Sequence, residues 1–418
     1  PVVSGASLPP DRSAAPIDAG SSIRKPISSL WPGMYHSPVT NALWEARSRI
    51  FEIASETARP PQPDELITKT PSSSRTSIVY RFSEDYILRE HYRNPWNEIR
   101  LGKLLEDLDA LAGTISYKHC SSRSLILVTA SADRMILRRP IHIESDVTIA
   151  GAVTWVGRSS MEIRVEVAQS SEDGHSSVAV ALTANFTFVA RDSKTGNSAA
   201  INRISPETDG EVLLWHEAEE RNKLRKNLKG EEEKKKREIN DEETMKERVN
   251  ELLTEGRVFC DMPALANRDS ILMKETCLEN SLVCQPQQRN SHGRIFGGFL
   301  MRRAFELAYV TAYSFAGTAP CFVEVDHVDF LKPVDVGNFL RFKSRVLYTE
   351  RESSSRRPMM NIEVVAHVMR PELRSSEVSN KFYFTFTLRS DEGGAAIRNV
   401  VPATEEEAWQ VIERMDAE

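Results

Sequence analysis

The chain repeats part of its own pattern at a nearly constant offset, and this repeat limits the folds that it can adopt. The pairs Asn94 and Asn290, Ile99 and Ile295, Gly102 and Gly298, and Phe188 and Phe384 each lie 196 positions apart. Pro140 and Pro333 correspond at an offset of 193, which a short deletion explains. Because each half must fold in the same way, the 418 residues predict two related domains rather than one large core.

Each copy of the repeat combines one helix with several strands. Apolar residues recur at helical spacing over residues 103–115, with Asp107 and Asp109 flanking the apolar stripe. Alternating apolar and polar residues then predict strands, after a first strand at 78–82, at 125–130, 135–137, 161–167 and 178–189. Residues 91–97 are predicted to be a loop. We therefore predict an α+β fold in which each copy has a long central helix wrapped by a curved antiparallel sheet.

Composition suggests where the domains begin and end. Residues 1–74, rich in Pro, Ser and Ala, are predicted to be an N-terminal arm with one helix at 41–55. Residues 206–265 read as a charged helical connector, because each Glu of 231–233 stands four positions before a Lys or Arg. Gly230 is expected to interrupt that helix. The first domain then spans residues 75–205, the second spans 266–392, and 393–418 form a C-terminal tail.

Charge and cysteine usage exclude several classes of protein. The net charge of −6 gives no basic surface for nucleic acid, and no stretch approaches the roughly 20 apolar residues that span a bilayer. The five cysteines are scattered without paired spacing, so the sequence suggests neither a zinc site nor a disulfide framework. These features favour a globular protein in a reducing compartment.

The stretch 289–301 joins a polar loop to two glycines and then to an apolar helical run. Gly297 and Gly298 carry no β-carbon, so a ligand could approach their backbone closely. The helix that follows leaves unpaired N–H groups at its start, and such donors suit a developing negative charge. An ordinary turn between loop and helix is the alternative for a single pair of glycines.

These features together resemble the double-hotdog acyl-coenzyme A thioesterases, and most closely the mitochondrial acyl-CoA thioesterase 9 type. The resemblance covers about residues 75–390. It rests on residues 290–298 with their helix, a strand pair predicted at 330–337, residues 157–161 at the start of a strand, residues 99–109, and the charged connector. It implies a tandem hotdog fold and the hydrolysis of fatty acyl-CoA to a free acid and coenzyme A.

The resemblance also implies where the catalytic acid lies. In the family, a carboxylate stands seven residues after the last glycine at the helix start. In the first copy that position is Asp109, and in the second it is Phe305, so the acid is missing there. Conversely, the second copy keeps two glycines where the first has Leu101 and Gly102. The defects are complementary, and they predict one composite site between the two domains.

A thioester carbonyl attacked by water needs a base near the water and donors near the carbonyl oxygen. We assign the base to Asp109. The Asn290 amide would hold the water or the carbonyl, and the region of Gly298 would present backbone N–H groups to the oxyanion. A helical wheel places Glu306 opposite the buried stripe of its helix, so we do not expect it to replace the missing acid. It would instead pair with Arg302.

Further residues are predicted to contact the substrate, and neither a metal nor a cofactor is expected beyond coenzyme A as part of that substrate. Guanidinium groups match phosphate geometry, which makes Arg158 and Arg356 candidates for the coenzyme A phosphates, although a solvated surface charge is the alternative for each. The predicted substrate-binding residues are Asn94, His292, Phe296, Gly297, Arg158, Ser159 and Arg356.

Two other functions are compatible with the residues alone. A hotdog hydratase or dehydratase would require an acid paired with a suitably placed His, for which His292 is the candidate. A non-catalytic acyl-CoA-binding or assembly protein would explain the incomplete half-sites as lost chemistry. The resemblance further implies a homo-oligomer, a trimer or hexamer of double-hotdog chains, and a location in the mitochondrial matrix.

Overall fold

The computed structural model describes residues 7–8, 15–21, 37–57, 66–122, 124–169, 179–235, 242–290, 293–350, 357–389 and 397–417. The helices are α1 Pro38–Thr57, α2 Pro71–Ser74, α3 Tyr86–Tyr92, α4 Leu101–Cys120, α5 Asp209–Lys235, α6 Glu242–Asp261, α7 Gly297–Ala316 and α8 Glu405–Ala417. The strands are β1 Ile17–Asp18, β2 Thr68–Lys69, β3 Thr76–Tyr80, β4 Leu125–Ala132, β5 Met135–Leu137, β6 Val147–Val156, β7 Ser160–Gln169, β8 Ala179–Asp192, β9 Arg203–Ile204, β10 Ser270–Leu272, β11 Leu278–Val283, β12 Cys321–Val325, β13 Val328–Asp329, β14 Phe339–Glu350, β15 Met359–Arg370, β16 Ser375–Thr387 and β17 Asn399–Val401.

Tertiary contacts divide the chain into two compact units. The first contains residues 1–221 together with two later segments, 283–302 and 327–338. The second contains residues 222–282, 303–326 and 339–418. The glycine turn and the first six residues of α7 therefore group with the first copy of the repeat, and the rest of α7 groups with the second unit.

The first unit is built around α4. Its sheet has the order β1-β3-β6-β7-β8-β5, and β4 pairs with both β8 and β13. All of these pairings except β1 with β3 are antiparallel in the recorded registers. Helix α4 packs on β3, β4, β6, β7 and β8, and nearly every residue from Gly102 to Cys120 is buried. The predicted central helix is confirmed, and it is longer than its apolar stripe indicated.

Strand β6 was not predicted from the sequence, although it lies between β3 and β7. Its middle, Ala150-Gly151-Ala152, lacks the large apolar side chains that mark a buried strand. Small residues are needed there because α4 approaches closely. A β-carbon on Gly151 would lie 2.7 Å from Cδ1 of Ile115 and 2.8 Å from the backbone oxygen of Arg164.

The second unit has the strand order β12-β16-β15-β14-β11, and its recorded pairings are antiparallel. The part of α7 within this unit packs on the sheet through Phe305, whose ring contacts Phe322, Phe384 and Phe386 with centroid separations of 5.4, 5.7 and 5.9 Å. The Thr311 hydroxyl also lies 2.6 Å from that of Ser344 on β14. Each unit thus has a helix packed on an antiparallel sheet, as the repeat predicts.

Four local predictions differ from the structure. The strand pair predicted at 330–337 is absent: β13 ends at Asp329, and the segment that follows has only an isolated bridge between Asp335 and Arg294. The loop predicted at residues 91–97 begins only at Arg93, because α3 extends to Tyr92 after Asp85 caps its start by accepting the Leu88 N–H. Helix α5 continues through Gly230 to Lys235, since one glycine costs a helix only about 1 kcal/mol. Strand β8 runs to Asp192, and the first residue predicted for it, at position 178, lies outside the described residues.

The N-terminal arm is partly helical, as predicted, and α1 packs on α4. The connector consists of α5 and α6, which agrees with its charged composition. Within the second unit, α6 and α8 share an apolar cluster of Val249, Leu253, Ala408 and Ile412. No helix in the described ranges is long and apolar enough to cross a membrane.

The close approach of α4 to β6 can be tested with Gly151→Val. The added side chain would meet the Arg164 carbonyl, which the sheet holds in place, so we expect a loss of about 1–3 kcal/mol in stability and a lower thermal midpoint. Gly210→Ala is the matched control, because a β-carbon there has no atom within 4 Å. Equal midpoints for the Val variant and the parent would refute the packing described for β6.

Candidate active site

Asp109 lies on α4 with no exposed surface, and both of its carboxylate oxygens accept hydrogen bonds. Oδ1 accepts from the Thr129 hydroxyl at 2.8 Å, and Oδ2 accepts from the backbone N–H of Gly298 at 2.7 Å. Each carboxylate oxygen can accept a second hydrogen bond, so the group can still receive a proton from a water molecule. The carboxylate also lines a cavity.

Burial raises the pKa of Asp109 to about 6, because a charged carboxylate is poorly solvated there. The hydrogen bonds from Thr129 and Gly298 lower the pKa, and the charge of Glu106 raises it. The start of α7 also favours a negative charge at this point. At neutral pH, Asp109 is therefore mostly ionised but only about one pKa unit from protonation, as a general base requires.

Asp107, two residues earlier on α4, is equally buried but has different surroundings. Its carboxylate accepts hydrogen bonds from the hydroxyls of Tyr80, Tyr92 and Ser37. It does not line the cavity. Burial raises its pKa to about 7. The helical wheel alone left both acids possible, and in the structure only Asp109 reaches the cavity.

Gly297 and Gly298 allow α7 to begin directly against α4. A β-carbon on Gly298 would lie 2.8 Å from the backbone oxygen of Glu106, and one on Gly297 would lie 3.2 Å from Oδ2 of Asp109. Any larger residue would therefore separate the two helices. An ion pair of 2.8 Å between Arg302 and Glu106 also joins them, one turn further along α7.

Asn290 forms a tight turn ahead of these glycines. Its N–H donates to the Arg294 carbonyl at 2.6 Å, its carbonyl accepts from the Gly293 N–H at 3.1 Å, and its Oδ1 accepts from the Arg294 N–H at 3.2 Å. Gly293 has a φ of +81°, a left-handed conformation that glycine adopts readily. The side-chain oxygen is thus used within the turn, and the amide NH₂ is the group that can donate to a ligand.

The turn at Asn94 has the same hydrogen-bond pattern. Asn94 N–H donates to the Glu98 carbonyl at 2.8 Å, its carbonyl accepts from Asn97 N–H at 3.1 Å, and its Oδ1 accepts from Glu98 N–H at 2.8 Å. Asn97 has a φ of +61°, matching Gly293 at an offset of 196. The repeat seen in the sequence is therefore also present in the backbone.

The two turns differ at one position that affects the asparagine amide. The Asn94 Nδ2 donates to the carboxylate of Glu98 at 3.2 Å. The position that corresponds to Glu98 in the second copy is Arg294, whose guanidinium cannot accept a hydrogen bond. The Asn94 amide thus donates to a carboxylate of its own turn, and the second copy has no carboxylate at the corresponding position.

Phe305 takes the position of Asp109 in the second copy and is buried among phenylalanine rings. Glu306 is one third exposed in its side chain and accepts a 3.0 Å hydrogen bond from Arg303. Its exposure agrees with the face that the helical wheel gave it. Of its two neighbouring cations, Arg303 is the recorded partner, while Arg302 pairs with Glu106.

The cavity at Asp109 has a volume of about 590 Å³, within the range of sites that hold small ligands. Among the predicted residues, Asp109, Asn290, Phe296 and Gly297 line it. Three exposed cations, Arg191, Arg294 and Lys332, also line it. Among the described residues, no group of three His, Cys, Asp or Glu side chains is placed to hold a metal.

Three of the predicted substrate-binding residues, Asn94, Arg158 and Ser159, do not line this cavity. Arg158 is exposed and Ser159 half-buried in the turn between β6 and β7. His292 and Arg356 lie outside the described residues.

Three of the cavity residues that the sequence reasoning missed bear directly on the site. Thr129, which holds Asp109, lies in β4 beside a bulge in its pairing with β8. Phe330 follows β13 and faces the position where a Gly297 side chain would lie. Arg47 comes from the N-terminal arm. Position 330 was within a recognised segment, but no spacing rule connects Thr129 or Arg47 to the glycine turn.

Comparison with known proteins finds the same pattern twice. Residues 102–176 and 292–355 match the family model described as the thioesterase superfamily. The chain is 67% identical over 412 residues to acyl-coenzyme A thioesterase 4, mitochondrial, from Humulus lupulus, covering 96% of this chain and 77% of that protein. It is 64% identical over 413 residues to acyl-coenzyme A thioesterase 2, chloroplastic, from the same organism, covering 96% and 93%.

A more distant relative is acyl-coenzyme A thioesterase 9, mitochondrial, from Homo sapiens. It is 31% identical over 329 residues, covering 77% of this chain and 73% of that protein. The similarity therefore includes both copies of the repeat and the connector between them.

Burial of Asp109 predicts the stability of Asp109→Asn. The folded-state pKa of about 6 is above the ordinary 3.8, so folding favours the protonated form, and ionisation at pH 7.5 costs on the order of 3 kcal/mol. An Asn can accept from Gly298 and donate to Thr129. We expect the variant to be at least as stable as the parent in urea unfolding at pH 7.5, with the difference shrinking as the pH falls from 6 to 4. A much less stable variant would contradict this account of the carboxylate.

Proposed function

The chain belongs to the acyl-CoA thioesterase family, and from this premise we propose that it hydrolyses fatty acyl-CoA at a composite site built from Asp109 of the first copy and the Asn290 turn of the second. Family membership confirms the predicted hotdog fold and the prediction of a thioester hydrolase. The single observation that carries the site assignment is the buried Asp109 carboxylate, which faces a cavity and is held by Thr129 and Gly298.

Asp109 is proposed as the general base. It takes a proton from a water molecule that attacks the thioester carbonyl, and the carbonyl oxygen becomes an oxyanion. When the carbon–sulfur bond then breaks, the proton on Asp109 passes to the coenzyme A thiolate. Thr129 orients the carboxylate by donating to Oδ1. Nothing in these steps requires a metal or a further cofactor, and we propose that none is used.

The oxyanion donor is assigned to Gly297 rather than to Gly298. The Gly298 N–H already donates to Asp109, whereas the Gly297 N–H has no acceptor among the described residues and belongs to the cavity wall. The Asn290 amide is proposed as a second donor, to the carbonyl oxygen or to the attacking water. Donors fixed before the reaction stabilise the developing charge without reorganisation.

The cations Arg191, Arg294 and Lys332 are proposed to contact the coenzyme A phosphates, because each lines the cavity and is exposed. Arg158, Ser159 and Arg356 remain predictions for the same role, and His292 and Asn94 remain predicted substrate contacts. The aromatic ring of Phe296 lines the cavity beside the reacting carbonyl in this proposal.

The working domains are proposed to be the two copies of the repeat, residues 75–205 and 266–392. The two family matches, 102–176 and 292–355, lie inside these ranges. The trimeric or hexameric assembly of double-hotdog chains stays a prediction. A location inside an organelle is supported by the family, and the mitochondrial matrix is our proposal. Of the two Humulus relatives, the one that is 67% identical to this chain is named mitochondrial and the one that is 64% identical is named chloroplastic.

The catalytic assignment can be tested by following thiol release from acyl-CoA substrates of several chain lengths. Asp109→Asn and Asn290→Ala should each lower kcat on the order of 100-fold or more, because they remove the base and a positioned donor. Glu306→Gln is the control and should keep the parental rate, since Glu306 pairs with Arg303 on a half-exposed face. Loss of activity in Glu306→Gln with activity retained in Asp109→Asn would place the working site in the other half of the repeat.

The pH dependence of kcat/KM provides a separate test of Asp109. Only the carboxylate form can accept a proton, and its pKa lies at about 6. We expect kcat/KM to fall about tenfold per pH unit below this value and to level off above it. A profile without an inflection between pH 5 and 7, measured with a substrate whose chemistry is rate-limiting, would exclude Asp109 as the base.

A further inference from the structure

Arg47 of the N-terminal arm reaches the same cavity as Asp109. It projects from α1, and one of its terminal nitrogens, Nη2, lies 3.3 Å from the point where a β-carbon on Gly113 would be. Gly113 stands four residues after Asp109 on α4, a rise of about 6 Å along the helix axis. The guanidinium thus lies about one helical turn from the proposed base, where Gly113 leaves space for it.

The Arg47 guanidinium is half-buried, and the charge of Asp109 is the carboxylate charge that acts on it. Its recorded hydrogen bond runs from Nη2 to the Thr114 hydroxyl at 3.4 Å, and its Nε is buried without an acceptor among the described residues. No ion pair of Arg47 occurs in the described part of the chain. Burial lowers the pKa of Arg47 more than the charges of Tyr117 and Asp109 raise it, so an anionic ligand that accepts from its N–H groups would stabilise the guanidinium further.

The ring of Tyr117 fixes the orientation of this guanidinium. The Arg47 Cζ lies 4.7 Å from the ring centroid, so one face of the planar group is covered by a cation–π contact. The Tyr117 hydroxyl in turn accepts the Leu127 N–H at 3.2 Å, which anchors the ring to β4. The N–H groups at the edge of the guanidinium remain the ones able to form a fork with a carboxylate.

The arm that carries Arg47 is itself anchored on α4. Ser37 donates to the buried Asp107 carboxylate at 2.9 Å, and its hydroxyl also accepts the Thr40 N–H at the start of α1. The segment from Ser37 to Arg47 therefore contacts α4 at both of its ends, at Asp107 through Ser37 and beside Gly113 through Arg47. Packing of α1 on α4 therefore fixes where the Arg47 side chain leaves the backbone.

We propose that Arg47 binds the far end of the acyl group and makes the enzyme select short acyl-CoA substrates that end in a carboxylate. This inference rests on the proposed function of the site. A thioester carbon beside Asp109 and a carboxylate at Arg47 are separated by about one turn of α4, which suits an acyl chain of roughly four or five carbons. A longer hydrocarbon chain entering here would place apolar atoms against the guanidinium and leave its remaining N–H groups without an acceptor.

The experiment compares glutaryl-CoA with valeryl-CoA, which have equal chain length and differ in the terminal charge. We expect the parent enzyme to have the higher kcat/KM for glutaryl-CoA, after subtraction of the spontaneous reaction. Arg47→Met should lower that ratio by about tenfold or more, because a charge-assisted hydrogen bond is lost only for the anionic substrate. Arg49→Met, an exposed change on the same helix, should leave both rates unchanged.

Inhibition of the parent enzyme gives a reading that does not depend on the variant folding. Glutarate should inhibit hydrolysis of valeryl-CoA more strongly than valerate does. An unchanged substrate ratio in a folded Arg47→Met, or equal inhibition by the two acids, would overturn the proposal. Turnover of valeryl-CoA without a preference would refute only the role of Arg47, whereas no thiol release from any acyl-CoA would refute the proposed function itself.

Discussion

The hydrogen bond from the Gly298 N–H to the Asp109 carboxylate is the contact on which the rest of the site depends. It connects the start of α7 to the middle of α4, and it can form because neither glycine has a β-carbon to hold the helices apart. The same bond uses a donor that would otherwise be unpaired at the helix start. It partly offsets the cost of burying a negative charge, so Asp109 stays ionised near neutral pH while its basicity is raised.

Two carboxylates on one helix have different surroundings, and these determine what each can do. Asp107 is surrounded by hydroxyl groups and links α4 to Tyr80, Tyr92 and the N-terminal arm. Asp109 has two donors and lines a cavity. Residue type and burial are the same for both, so access to the cavity is what separates a structural acid from a candidate base. The arm that Asp107 anchors also carries Arg47 to the cavity wall.

The two copies of the repeat kept the same backbone turn while their side chains diverged. Asn94 and Asn290 make equivalent hydrogen bonds within their turns, but Glu98 accepts from the Asn94 amide where the second copy has Arg294. Phe305 fills with aromatic packing the position that holds the acid in the first copy. In the proposed mechanism, each copy therefore contributes the part that the other has lost, and a single working site per chain follows.

The sequence by itself determined the repeat, the central helices and most of the strands, and the glycine-to-acid spacing that the family resemblance implies singled out Asp109. These features are periodicities and spacings within short stretches, and so they can be read without coordinates. It did not determine β6, whose Gly151 is required by the approach of Ile115, nor did it connect Thr129 and Arg47 with the site. Only the tertiary structure decided that the Gly298 N–H donates to Asp109, 189 positions away, because such a contact depends on how closely two distant helices pack.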